Sequence, residues 1–374
     1  MAKISGVSQW CAMYLLPGLA FKSVIVGGGY GTGREITEFF LSHGAFGGLV
    51  GMLVTALVWG LVLAVAFELA RLTRSYNYKS LFQTLLGRYW WLFEVIYVLI
   101  AFLVLAVLGS ASGEIVQQSF GIPPMWGGVL LMVLVGLLTF FGSKAIEKFF
   151  VCWSAVLFVT YGTLLVLTLS NYQTQIVAQF QWAPLSGGEV VDGVRYAAYN
   201  LNALAAVLFV VPRFLTTKNA VGAGLMAGLI GIAPAVLLFL TLLAGYPQVT
   251  QSALPVVDIM LMQNLLWLLV LFKVMLFGTF IETGSGVLHA VNERIAGSFS
   301  AQKRPFPHWL RAAVPLSFLF CAIFLASEFG IIDLIAKGYG VLSYAYILVV
   351  ILPLLLYGSI RIVRLRRQSA VAQA

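Results

Sequence analysis

Two stretches of the chain combine residue types that do chemistry with a spacing that matters. Residues 27–33 read GGGYGTG, five glycines in seven residues, and REITEFF follows at once. Residues 276–295 read LFGTFIETGSGVLHAVNERI, which places Glu282 in the middle of an apolar run. In soluble chains a glycine run cradles phosphate. Here no register of residues 27–34 gives G-x-G-x-x-G, and the Walker pattern needs lysine where Arg34 stands.

The glycines instead interrupt a helix. The hydrophobic stretch of about 12–42 would be about 46 Å long as one helix at 1.5 Å per residue, and each interior glycine costs about 1 kcal/mol. The pattern predicts half-helices over about 12–26 and 33–42, joined by unwound backbone. Thr32 and Glu35 stand at the spacing of a capping box, which starts a new helix. Irregular backbone at membrane depth persists only where protein buries it or where it lines a cavity. There the carbonyls freed from one half-helix can coordinate a cation, and the N–H groups of the next can face an anionic group. Gly28, Gly29, Gly31, Thr32 and Gly33 are therefore candidate substrate-binding positions. Arg34 can hold a substrate carboxylate or pair with Glu38 one turn on. The competing reading of the run is a helix kinked by small residues for close packing.

A second break is expected in the matching helix of the second half, over about 188–214. That stretch opens with another capping spacing, Ser186 to Glu189, and turns polar at Tyr199-Asn200-Leu201-Asn202. Asparagine is a good N-cap for a second half-helix, which makes Tyr199, Asn200 and Asn202 candidate substrate contacts. The alternative is that the two asparagines hydrogen-bond between intact helices. In the 276–295 segment, Glu282 is an ionisable group in the membrane and hence a functional candidate. Gly286, His289 and Glu293 share its helical face. Thr279 and Thr283 present hydroxyls suited to a hard cation such as sodium. Lys273, nine residues before Glu282, points the other way and is expected to snorkel.

The elements that must position these residues follow from composition. The chain is 61% hydrophobic and 9% charged, with mean hydropathy +0.99, against roughly 25% charged in soluble domains. Apolar runs of about 20 residues, long enough for a ~30 Å hydrocarbon core, recur throughout. The expected fold is an all-α polytopic membrane protein with ten helices. Their limits are roughly 12–42, 46–70, 89–118, 124–142, 148–170, 188–214, 219–246, 262–297, 309–327 and 331–360. They form a single transporter-like domain, with one repeat over about 12–170 and a second over about 188–360. The net charge of +9 is carried by alternate connections, the pattern that places both termini in the cytoplasm. It speaks for anionic lipid and against a nucleic-acid partner. Cys11, Cys152 and Cys321 read as free thiols in packing roles.

With these residues in view, the glycine run with G-x-E-x-x-x-F-F behind it resembles the YkvI-type bacterial membrane proteins. Those are similar to the amino acid–polyamine–organocation transporter superfamily with its LeuT-type 5+5 inverted repeat and discontinuous helices 1 and 6. The resemblance implies a core of spans 1, 2, 6 and 7 that rocks against spans 3, 4, 8 and 9. It also implies a cation held by the carbonyls of Gly27 and Tyr30 with Thr279 or Thr283. Glu282 among the span-8 hydroxyls and a charged Arg34 depart from that pattern and leave proton coupling open. The expected activity is secondary transport of a small polar or charged organic solute, amino acid-like or amine-like, across a bacterial inner membrane. Sodium or a proton would be the coupling ion, with no other cofactor or metal. A nutrient-sensing receptor subunit on the same fold and a channel are the alternatives. An enzyme is not expected: Ser285 and His289 share one helix, and no H-E-x-x-H is present.

Overall fold

In hydrocarbon an apolar run can satisfy its own backbone groups only as a helix or in a closed barrel. A computed structural model describes residues 10–371 apart from 142, 181–183 and 302–306, and every regular element among the described residues is helical. The first hydrophobic stretch holds a π-helical turn Cys11–Leu15, then α1 (Leu16–Ile25), α2 (Gly28–Gly31) and α3 (Arg34–Phe39). Next come α4 (Gly44–Thr73), α5 (Tyr78–Leu86), α6 (Trp91–Phe120), α7 (Pro124–Phe141) and α8 (Ser143–Ala178). The second half holds α9 (Gly188–Asn200), α10 (Leu204–Val207), α11 (Thr217–Leu242), α12 (Pro255–Met262), α13 (Leu266–Ala301) and α14 (His308–Glu328). A last helix with π-helical stretches, α15, runs over Ile331–Gln368.

Helix occupies most of each predicted stretch, and among the described residues six helical segments are long and apolar enough to cross a membrane on their own. They are Arg34–Thr73, Trp91–Phe120, Gly188–Arg213, Thr217–Gly245, Leu266–Ala296 and Ile331–Gln368. Cys11–Ile25, Pro124–Leu138 and Ala313–Glu328 are shorter apolar helices. Several predicted limits move; the fifth stretch runs on to Ala178 and the tenth to Gln368. The eighth stretch begins at Leu266, not 262, because Asn264 takes a left-handed conformation (φ 56°) and separates α12 from α13.

Two groups of helices pack among themselves. In the first, α4 crosses α11 and α9, and α11 also covers α1. In the second, α6, α7, α13 and α14 pack together, with α8 laid along α13. Close backbone approach makes the first group possible. A Cβ on Gly224 would lie 2.3 Å from the Ala64 nitrogen, and one on Gly228 would lie 2.5 Å from the Gly60 nitrogen. Lipid tails are as apolar as leucine, so such small-residue contacts supply the dispersion attraction that holds membrane helices together. Polar bonds fix the register: Thr55 donates to the Gly193 carbonyl at 2.8 Å, and the Trp59 indole to that of Ala197 at 2.9 Å.

At one end of the bundle, buried Glu68 accepts from Arg71, Thr217 and Arg366, tying α4, α11 and α15 together. Arg294 donates to Glu94 at 2.9 Å and lies over the rings of Tyr78 and Tyr97. Lys273 donates to Ser119 at 2.9 Å, away from Glu282, as its helical offset predicts. Cys11 is half-buried, but Cys321 is exposed and has no packing role of the kind expected; the Cys152 side chain lies outside the described residues.

Candidate functional site

The break in the first helix is built differently from the expectation. Two short joints flank one intact helical turn, in place of a single unwound segment. At the first joint Val26 leaves the helical region (ψ 79°), and the Gly27 N–H reaches back to Ile25 at 2.7 Å. The α2 turn follows, and the second joint is Thr32-Gly33. Gly33 has φ +84°, a conformation that costs glycine nothing and other residues about 1 kcal/mol or more. The Thr32–Glu35 capping box does not form. Gly33 takes the N-cap position without a side-chain bond, while Thr32 accepts from the Arg34 N–H at 3.1 Å and donates to the Gly29 carbonyl at 2.8 Å. Glu35 is thereby released for other use.

Its carboxyl turns into the break. Glu35 is 5% exposed and accepts a 2.6 Å hydrogen bond from the Tyr199 hydroxyl on α9. A Cβ on Gly29 would lie 2.3 Å from Glu35 Oε1, so only glycine lets the carboxylate approach the chain this closely. Around it, Tyr199 stacks on Tyr339 of α15 (centroids 4.5 Å apart, 15° between planes) and meets Tyr196 edge-on at 5.5 Å. Phe39 of α3 completes the aromatic wall, 5.6 Å from both Tyr196 and Tyr199. The hydroxyls of Tyr30 and Tyr196 are buried and have no hydrogen-bond partner among the described residues.

Of the two roles open to Arg34, pairing with Glu38 is formed. Its Nη1 also donates to the carbonyls of Thr250 (2.6 Å) and Ser252 (3.2 Å), which hold the connection after α11 against the break. The Val256 N–H donates to the Thr32 carbonyl at 3.2 Å in the same contact. Gly31 receives a 2.6 Å hydrogen bond from Tyr161 of α8. Gly28 lies in the α2 turn.

The second break is a tightening, not a gap. The backbone stays right-handed from α9 through a 3₁₀ turn Leu201–Ala203 into α10 and a further 3₁₀ stretch Leu208–Arg213. The asparagines do not cap. Asn200 donates back to the Tyr196 carbonyl and Asn202 to that of Tyr199, each at 3.0 Å, so both act as donors to the preceding turn. Ser186 and Glu189 do not form a capping box either: Gly187 (φ 89°) is the N-cap of α9 without a side-chain cap bond, while Glu189 accepts from the Gly187 N–H at 2.9 Å and Ser186 from that of Gly188 at 3.2 Å.

On α13, Thr283 lies against the first joint. A Cβ on Gly27 would be 3.3 Å from its hydroxyl oxygen. Thr279 is buried and donates to the Met275 carbonyl at 3.0 Å, which leaves its lone pairs available to a cation. The carbonyls of Gly27 and Tyr30 each accept a local turn bond, from Gly31 at 2.9 Å and Gly33 at 3.0 Å. Glu282 is partly buried, and its backbone carbonyl accepts from the Ser285 hydroxyl at 3.1 Å. The Glu293 side chain lies outside the described residues.

The site residues that sequence reasoning missed are Glu35, Tyr161, Tyr196 and Tyr339. An acidic residue inside a hydrophobic span is itself a functional signal, and Glu35 was absorbed by its capping spacing. The tyrosines come from three other helices and carry no local signature.

No family model matches the chain. Over 219 residues it is 25% identical to YkvI, an uncharacterized membrane protein of Bacillus subtilis (strain 168), covering 56% of this chain and 61% of that protein's length. A manganese transporter of Eremococcus coleocola, solved with an aromatic bis-isothiourea substituted compound, matches with TM-score 0.52 and 14% identity over 98% of this chain and 97% of its own. A Na+-coupled sialic acid symporter in a substrate-bound outward-open state matches with TM-score 0.52 and 14% identity over 92% of this chain and 85% of its own. The chain is thus similar to the YkvI-type bacterial membrane proteins and has the fold of these two transporters.

Proposed function

We propose that the chain is a secondary transporter, moving a small polar or charged organic solute, amino acid-like or amine-like, across the bacterial cytoplasmic membrane by alternating access. The observation that carries this reading is the doubly jointed first helix, where a buried carboxyl and two tyrosine hydroxyls without a partner among the described residues gather between two helix groups. A packed interior does not leave polar groups unsatisfied without cost, and a solute supplies the missing partners. In this reading the ten helical stretches all cross the membrane as one domain. Repeats over about 12–170 and 188–360 form the 5+5 arrangement, both termini are cytoplasmic, and the α1–α4–α9–α11 group rocks against the α6–α7–α13–α14 group. Thr283 beside Gly27 supports sodium as coupling ion. Glu282, an ionisable and partly buried side chain within α13, supports a proton.

The test is reconstitution into proteoliposomes with a panel of radiolabelled amino acids, amines and small organic anions. Sodium and proton gradients are imposed separately. Saturable uptake that exceeds equilibrium under one gradient is the expected result. Conductance that never saturates would replace the transporter with a channel, and binding without flux would replace it with a receptor.

A further inference from the structure

A groove of about 750 Å³ lies between α6, α14 and α15 and shares no lining residue with the break in the first helix. A packed interior leaves few voids larger than a water, and this volume falls within the ~300–1,000 Å³ of ligand sites. Its floor is closed where α6 meets α15: a Cβ on Gly338 would lie 2.7 Å from the Leu103 side chain. Phe320, Phe324 and Val341 on its walls are 74%, 58% and 70% exposed, so the groove opens on the outer surface of the bundle. The charged residues that line it are Asp333 and Lys337, an i,i+4 ion pair at 2.9 Å near the connection from α14 to α15. Asp333 and Arg361 stand about 40 Å apart along α15 at 1.5 Å per residue. The pair and the basic stretch 361–367 therefore stand at opposite faces of a ~30 Å hydrocarbon core.

These features select the occupant. Apolar walls open to lipid and closed behind offer an acyl chain dispersion contacts on several sides. The pair at the membrane face stays accessible, with Lys337 78% and Asp333 50% exposed. It uses one of three ammonium donors and one of about four carboxylate acceptor sites, and an exposed pair rearranges at little cost. An anionic headgroup would gain Lys337 but meet the Asp333 carboxylate. A quaternary ammonium has no hydrogen to donate. A phosphate linked to a primary ammonium satisfies both residues. We propose that the groove binds a zwitterionic phospholipid with a primary-amine headgroup, of the phosphatidylethanolamine type. Its phosphate accepts from Lys337, its ammonium donates to Asp333, and an acyl chain lies along Leu99, Leu103 and Phe324. Leu334, Lys337 and Gly338 belong to the π-helical stretch Leu334–Tyr339, whose buried Tyr339 stacks on Tyr199. The bound lipid therefore packs against the turn that holds Tyr339.

The experiment is native mass spectrometry of the purified full chain, titrated with phosphatidylethanolamine, phosphatidylcholine and phosphatidylglycerol of identical acyl chains. Cys321 lines the groove and is exposed, so Cys321→Trp fills it. Binding lost in that variant belongs to the groove and is separate from lipid held at the basic end of α15. This fraction should favour phosphatidylethanolamine by about tenfold, the scale of one hydrogen bond to a charged group. Asp333→Asn should lower phosphatidylethanolamine to the level of phosphatidylcholine, and Lys337→Gln should weaken both. Both side chains are exposed, so melting without lipid should be unchanged in these two variants. Phosphatidylglycerol held in the groove as well as phosphatidylethanolamine would overturn the headgroup assignment. Binding of phosphatidylethanolamine unaffected by Cys321→Trp would overturn the site and leave only ordinary annular lipid. A dimer that Cys321→Trp dissociates, with no lipid displaced, would overturn it in favour of a second copy of this chain. None of these readouts involves uptake, so their outcome is independent of the transporter reading.

Discussion

Replacing Arg34 by methionine should release the connection between α11 and α12 from the break. Arg34 is 4% exposed and holds that connection through the carbonyls of Thr250 at 2.6 Å and Ser252 at 3.2 Å, while pairing with Glu38, whose side chain is 28% exposed. Methionine keeps most of the stem volume, so the packing loss is small. A hydrogen bond from a charged donor contributes about 1.5–3 kcal/mol, and the long second bond less. The partly exposed ion pair adds at most about 1 kcal/mol. A net loss of about 2 kcal/mol corresponds to roughly a 30-fold rise in the opening equilibrium of the segment. Hydrogen exchange followed by mass spectrometry reads this directly at the amides of Thr250, Ser252, Leu254 and Val256, all of which are bonded in the closed segment. Glu38→Gln keeps the two carbonyl bonds and should accelerate exchange only a few-fold. Arg34→Met rates within twofold of the parent would refute the reasoning. Equal acceleration in both variants would place the effect in the ion pair and not in the loop carbonyls.

The remaining predictions concern packing and coupling. Gly228→Val puts side-chain atoms where backbone of α4 already lies, 2.5 Å from the Gly60 nitrogen, and should destabilise by about 1–3 kcal/mol or abolish folding. Gly162→Ala, with nothing within 4 Å, is the matched control and should melt no lower than the parent. Thr283→Ala should raise the sodium concentration for half-maximal uptake by about tenfold if a hydroxyl beside Gly27 ligates sodium; an unchanged sodium response removes that position. Glu282→Gln should abolish uptake driven by a pH gradient and spare solute exchange if Glu282 carries the proton, whereas loss of both assigns it to binding or folding.

Some features of this protein could be read locally. Each rests on residues that are neighbours in sequence: the apolar runs that must be helical in lipid, the glycines that stop a helix at 27–33, and the offset that turns Lys273 from Glu282. Backbone preference and side-chain periodicity act over a few residues, so one strand of text contains them. Tertiary structure decided what local rules left open. Thr32 and Glu35 have the right spacing for a capping box, yet a tyrosine 164 positions away offers the carboxyl a buried donor, and the box does not form. Asn200 and Asn202 have the right type for an N-cap, but α9 and the turns after it stay right-handed, so both donate backwards. Arg34 had two partners in prospect, and the loop carbonyls at 250 and 252 joined the nearer one. Pairings of this kind are settled by which groups folding buries together, because a buried polar group takes whichever partner the packing brings within about 3 Å.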